Sequence, residues 1–275
     1  KRKLIQSGQP ATLLRWYSAS VMIRSLRVQV DEALARARQA LAVTHDGPAP
    51  MRGRAHLLLV LAALAARNAA LARLHLAESA ALLELHNASD STIYEFQRGM
   101  LMLLDGDWTG ADQLMRAAVV SGQASGWPLR EHIALLGQTL AATQVGALAD
   151  AQTTLDAVLA HPFYAVCRWH HWLAALIEAH LAEHSHQRAR ALAALARAFA
   201  LGREHGFDFG PMPYCCGDMM PRLAALALAH DIDAPFALHL IRRHALAAPA
   251  DAGAHWPWPV RIRCLGSFSI ERDGQ

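Results

Sequence analysis

The chain has 275 residues, 53% of them hydrophobic but only 7% aromatic, and a formal charge of +3 at neutral pH. That charge is too small and too evenly spread for this segment to grip a nucleic acid by itself. The longest uninterrupted apolar run, Leu57 to Ala66, would rise about 15 Å as a helix, half of a bilayer core, so no membrane span is expected.

An Ala- and Leu-rich composition favours close-packed helices and leaves little material for sheets. The opening Lys1-Arg2-Lys3-Leu4 has no initiator Met and no cleavage site behind an apolar run, which argues against a signal peptide and reads as an excised piece. Cys167, Cys215, Cys216 and Cys264 are irregularly spaced, form no disulfide framework and fit a reducing cytoplasm.

Taken in order, Thr12 to about Thr44 reads as a helix pair, with Leu13, Trp16, Tyr17 and Val21 on the first stripe and Val30, Ala33, Leu34, Ala37 and Leu41 on the second. Asp46-Gly47-Pro48-Ala49-Pro50 ends it. A second pair spans about Arg52–Arg67 and Ala69–Leu85. After the loop Asn87–Asp90, Thr92 with Glu95 has the spacing of a capping box and sets the start of the next helix.

From Ile93 to Phe199 the sequence nearly repeats at a spacing of 40 residues. Ile93, Ile133 and Leu173 coincide, as do Phe96, Leu136 and Leu176, then Gly99, Thr139 and Ala179, then Met100, Leu140 and His180. A break follows at Gly106, Gly146 and His186. Beyond it Ala111, Ala151 and Ala191 align, then Met115, Leu155 and Leu195, and last Ala118, Val158 and Ala198. Each copy is one helix hairpin, too small to bury its apolar face without a neighbour. The expected fold is therefore all-α: a helix-hairpin solenoid over residues 1–246, with Ser185 capping the last helix of the third copy.

Phe207 to Pro213 carries two Gly and two Pro and reads as irregular. Two shorter helices follow, Met220–His230 and Ala234–Ala245. Residues 247–259 are linker-like. Residues 260–275 alternate with period two, Val260, Ile262 and Cys264 opposite Arg261 and Arg263, with Phe268 and Ile270 resuming the apolar face after Gly266, which predicts a β-hairpin ended by Asp273-Gly274. A lone hairpin is marginal in water, so Val260, Ile262, Phe268 or the Trp256 and Trp258 pair should pack on the last helices or on a neighbouring molecule.

Beside the core stripe of each first helix runs a second one: Asp90, Tyr94 and Arg98, then Arg130, Ala134 and Gln138, then His170, Ala174 and Glu178. First helices commonly line the concave face of such arrays, so Asp90, Tyr94, Arg98, Arg130, Gln138, His170 and Glu178 are the candidate groove for an effector, whether small molecule, peptide or protein. Trp169 and Trp172 fall in core or groove; spacing does not decide. His180-Leu181-Ala182-Glu183-His184 matches the H-x-x-E-H pattern of inverted zinc peptidases, yet His180 fills the slot of Met100 and Leu140, and no further acidic ligand is marked out. Cys167 with His170 and His171 reads as a buried thiol on a helix sooner than a metal site. No basic neighbour activates Cys215 or Cys216 as a redox sensor. No cofactor, metal or catalytic residue is expected.

The tail Leu240-Ile241-Arg242-Arg243, then Trp256-Pro257-Trp258-Pro259-Val260-Arg261-Ile262-Arg263, Leu265-Gly266-Ser267-Phe268 and Arg272-Asp273-Gly274-Gln275, resembles a junction in large bacterial transcriptional regulators. There a tetratricopeptide-like helical region of the maltose-activator (MalT) type runs into a winged-helix domain of the response-regulator and antibiotic-regulatory kind. The resemblance implies a cytoplasmic regulator whose ATPase lies upstream and whose DNA reader lies downstream. This chain has neither a Gly-Lys-Ser/Thr phosphate loop nor a recognition helix, so DNA would be met only through a domain absent from it. The expectation is a non-enzymatic sensor and interaction arm; the alternatives are a stand-alone scaffold that holds partners or self-associates, and, remotely, a zinc hydrolase using His180, Glu183 and His184.

Overall fold

The computed structural model describes residues 9–27, 29–208, 211–264 and 269–272. Within them lie thirteen α-helices and the protein is all-α. They are α1 (Pro10–Leu26), α2 (Val30–Val43), α3 (Ala49–Ala65), α4 (Ala69–Leu82), α5 (Ala88–Asp105), α6 (Trp108–Ala124), α7 (Pro128–Gln144), α8 (Leu148–Ala160), α9 (Arg168–His184), α10 (Arg188–His205), the single turn α11 (Pro211–Tyr214), α12 (Met219–Ala229) and α13 (Ala234–His244). A 3-10 turn, Tyr164–Val166, precedes α9. No helix is long and apolar enough to cross a membrane among the described residues.

Up to α10, each helix packs chiefly on the ones before and after it, and alternate first helices also touch, as in a row of leaning hairpins. The aligned apolar positions are the buried ones: Met100, Leu140, Leu136, Leu176, Leu155 and Leu195 are all sealed from solvent. Small residues sit where one helix enters between two others. A Cβ added at Gly99 would lie 2.8 Å from the Met115 Cε, and one at Gly137 2.6 Å from its Sδ. Met115 of α6 thus wedges between α5 and α7.

Helix starts and turns follow local chemistry, with two corrections. Helix α5 begins at Ala88, not at Thr92, because the Asn87 side chain accepts the N–H groups of Ser89 and Asp90. Thr92 lies inside the helix and its hydroxyl donates to the Ala88 carbonyl at 2.6 Å, while Glu95 faces Ser121. Ser185 does not cap α10 either; its hydroxyl turns back to the Leu181 carbonyl, and Gln187 is the entry residue. Between the helices of a pair the chain turns through a left-handed residue, Gly106 (φ 79°), Gly146 (φ 78°), and then His186 (φ 56°) and Arg67 (φ 53°), which carry side chains.

The row does not stay open. The four residues Tyr214–Gly217 meet three successive hairpins: Cys215 Sγ donates to the Leu64 carbonyl at 3.6 Å, Cys216 Sγ receives the Gln144 amide at 3.0 Å, and Gly217 lies by the Trp108 ring. Gln144 also holds His180 at 2.8 Å. So short a stretch reaches all three only if the row curls round it. Phe207–Pro213, expected to be irregular, runs into α11 at Pro211; residues 209–210 lie outside the described residues. Met212, Tyr214, Cys215, Cys216, Met219 and Met220 are buried in the same core as Leu64 and Leu176. Further along, Arg67 donates to the His244 carbonyl at 2.9 Å and Arg243 to the Arg27 carbonyl at 3.1 Å. The inner side of the row is therefore filled by its own chain.

Of the residues expected to anchor the tail, Trp256 is buried in the main core, and the half-buried Ala248 and Ala252 of the linker-like stretch pack against that core. Val260, Ile262 and Ile270 stay exposed. Strands β1 (Val260–Arg263) and β2 (Ser269–Arg272) pair antiparallel, Ile262 opposite Ile270. The expected turn at Gly266, Phe268 and the ending Asp273-Gly274 lie outside the described residues.

Candidate functional site

The stripe expected to form one groove is divided among local contacts. Asp90 is buried, and Arg54 grips both its oxygens at 2.8 and 3.0 Å. Arg98 stacks on its neighbour Tyr94 at 5.4 Å. Arg130 lies over the Trp127 ring at 4.2 Å and donates to the Ser89 carbonyl and hydroxyl. Ala134 and Ala174 are buried, Gln138 half so. His170 is buried flat against His132, ring centroids 4.6 Å apart. Asp90, Arg130 and His170 thus close seams between hairpins, Arg98 pairs within its own helix, and Glu178 lines an open hollow.

That hollow holds about 350 Å³ and is lined by Leu159 of α8, Tyr164, His171, Ala175 and Glu178 of the entry to α9 and α9 itself, and Arg197 and Leu201 of α10. Its size is near the lower end for small-molecule sites. It lies one residue round from the expected stripe, on positions 171, 175 and 178. Glu178 bridges two arginines, Arg190 Nε at 3.0 Å and Arg197 Nη2 at 2.5 Å. His171 Nε2 meets the Tyr164 carbonyl, which only accepts, so Nε2 bears the proton. Burial pushes the Tyr164 phenol up from its ordinary value.

The repeat explains why this hollow exists here. Subtracting 40 from its residues lands on Val119, Ala124, Glu131, Leu135, Gln138, Ala157 and His161; subtracting 80 lands on Ser79, Glu84, Ser91, Glu95, Arg98, Ala117 and Ser121. In the second repeat Leu135 fills the space and His161 closes over it toward Glu131, 3.4 Å away. In the first, Glu95 occupies it and takes the Ser121 hydroxyl at 2.9 Å. In the third, Ala175 leaves it empty. Aligning the three copies at position 175 would have marked the gap in the sequence.

The histidines elsewhere are structural in their contacts. His132 donates from Nε2 to the Val158 carbonyl at 3.1 Å, so its Nδ1 accepts from His170 Nδ1 at 2.7 Å. Burial pushes His132 down to about 4 and His170 to about 3, holding both neutral. His180 is fully buried; the Gln144 amide donates to its Nε2, and Glu183 is taken by Arg222 at 3.2 Å. The zinc pattern is thus spent on packing contacts. Among the described residues no group of three or more His, Cys, Asp and Glu side chains is placed to hold a metal ion. Trp172 is core and Trp169 half-buried. Burial pushes the Cys215 and Cys216 thiols up to about 12, opposite to what a reactive thiolate needs.

Comparison with family models, with curated proteins and with solved structures returns no match for this chain.

Proposed function

We propose that the chain is the sensor and interaction arm of a bacterial, cytoplasmic transcriptional regulator, taking an effector in the third-repeat hollow and passing its occupancy to a DNA-binding output beyond this chain. In this reading it makes and breaks no bond. The observation that carries it is the position of the hollow. Helix α10 presents Arg197 and Leu201 to the hollow and, from its other side, Phe199 and Gly202 to Phe236 of α13, ring centroids of the two Phe 5.2 Å apart. Arg203 of α10 also holds Asp233 at the start of α13 at 3.1 Å, and Glu183 of α9 holds Arg222 of α12. A ligand that shifts α10 against α9 must disturb the seat of the last helices, the segment that leads to the strands. Relay requires such a difference in affinity between two arrangements. The test is reporter transcription driven by the full-length regulator: Ala175→Leu should abolish response to inducer at normal protein level, and an unchanged response sinks the reading.

A second reading is a scaffold for protein partners. It is favoured by apolar side chains exposed near the turns that lead from one hairpin to the next: Leu85, Trp127 and Val166, the last 75% exposed. Size-exclusion chromatography with light scattering would show self-association, and Trp127→Ser should weaken it.

A further inference from the structure

Resting on the effector-binding reading above, we propose that the third-repeat hollow takes a small organic anion, a carboxylate on an apolar body. Three departures from the repeat converge on this one place. Ala175 stands where Leu135 and Glu95 fill the other copies, which makes the space. Leu201 stands where His161 and Ser121 stand, which makes that wall apolar, continuous with Leu159 and Ala175. Arg197 stands where both other copies carry Ala157 and Ala117, which brings a guanidinium to the rim. A surface helix accommodates any one of these changes as drift, but all three fall on the lining of the same hollow.

The charge count selects the ligand. Glu178 carries one negative charge and meets two guanidiniums, Arg190 and Arg197, leaving one positive charge uncompensated within the cluster. Arg190 is occupied further: its Nη1 donates to the Gln152 side-chain oxygen at 2.6 Å. Arg197 contributes a single N–H to Glu178, and its side chain remains 55% exposed. A guanidinium offers five donors in a planar fork suited to a carboxylate. The ligand's carboxylate would therefore sit on the outer edge of Arg197, with its hydrocarbon part against Leu159, Ala175 and Leu201 and beside Tyr164. Glu178 holds the guanidinium in place beforehand, which lowers the ordering cost of binding.

The test titrates the whole chain with phenylacetate and with phenylacetamide, which match in shape and differ in charge, and follows binding by saturation-transfer NMR and calorimetry. Phenylacetate is expected to bind saturably and phenylacetamide at least tenfold more weakly. Ala175→Leu copies the second repeat, where a buried Leu135 is tolerated, and should remove both signals with helicity and melting temperature kept. Arg197→Ala copies both other repeats, keeps the space, and should bring the two probes within threefold of each other. Failure of phenylacetate to bind, or binding that survives Ala175→Leu, overturns the site and with it the effector reading placed there. Equal binding of the two probes that Ala175→Leu abolishes leaves the site standing and overturns only the anionic class.

Discussion

The second and third repeats share an interior and differ in their outer faces. Inside, Leu136 matches Leu176 and Leu155 matches Leu195, all sealed from solvent. Outside, Leu135 with His161 over it becomes Ala175 with Leu201, and a closed seam becomes a hollow. The stacking of hairpins fixes the interior, because every repeat must bury the same stripe. It leaves the outer groove free to vary, so specificity can be written there at little cost to the fold.

The largest way to break the comparison is to loosen the joint between the two repeats. His132 of α7 and His170 of α9 meet there, neutral in the fold down to about 4 and about 3. In the unfolded chain each takes up a proton near its ordinary value of about 6.5. Between those limits the unfolded state binds more protons, so stability falls as pH falls from about 6.5, and the loss stops growing below about 3. At pH 5 it should reach about 2 kcal/mol per histidine, or about 4 for the pair. Urea unfolding at pH 7.5 and 5.0 measures it; His170→Phe, which keeps the ring and removes the proton site, should lose clearly less, and equal losses would contradict the account.

Next in size is the shared interior. Leu136→Ala and Leu176→Ala should each cost about 3 kcal/mol, the ordinary cost of a cavity in a packed core. If the repeats are interior equivalents, the two midpoints in urea shift by similar amounts. A much smaller shift for Leu176 would mean that the hollow relaxes into the core.

How much of this was legible follows the same division. The interior was, because a stripe recurring at the same spacing is an unambiguous sign of helices that bury one face; Ile93, Leu136, Leu176 and Leu195 fell where expected. The hollow lies one residue round from the stripe that the spacing marks out. On α9 the residues from Trp172 to Ile177 are buried without a break, so the helix has no polar stripe to read. The covering comes from Met212 to Met220, far along the chain, and no periodicity reports a contact that distant. Ala175 was visible as the odd member of its column, but a small residue in an Ala-rich helix attracts no notice until its neighbours are known.

A smaller effect tests whether the outer groove is as free as it looks. Leu135→Ala should open in the second repeat the hollow the third already has, at about 2 kcal/mol, the low end for such a truncation because the space reaches solvent. His161 and Glu131 would then border it in place of Leu201 and His171. The new hollow lacks Arg197, so it should take phenylacetate no better than phenylacetamide. A preference for the acid there would show that the charge at 197 is not what selects.

The smallest expected effect lies in the turns. Gly146 and His186 hold the same position between the helices of their pairs, at φ 78° and 56°. Glycine occupies that left-handed conformation freely, whereas a Cβ there crowds the following carbonyl oxygen. His186→Gly should therefore raise stability by about 0.5–1 kcal/mol, less whatever the unfolded chain gains in freedom from the glycine. Gly146→Ala should lower stability by a similar amount, since nothing lies within 4 Å of the added Cβ and only the backbone term remains. Opposite signs in the two repeats are the measurement to make. If His186→Gly destabilises instead, the imidazole at that turn makes a contact worth more than the strain, and the third repeat differs from the second at its inner turn as well as in its outer groove.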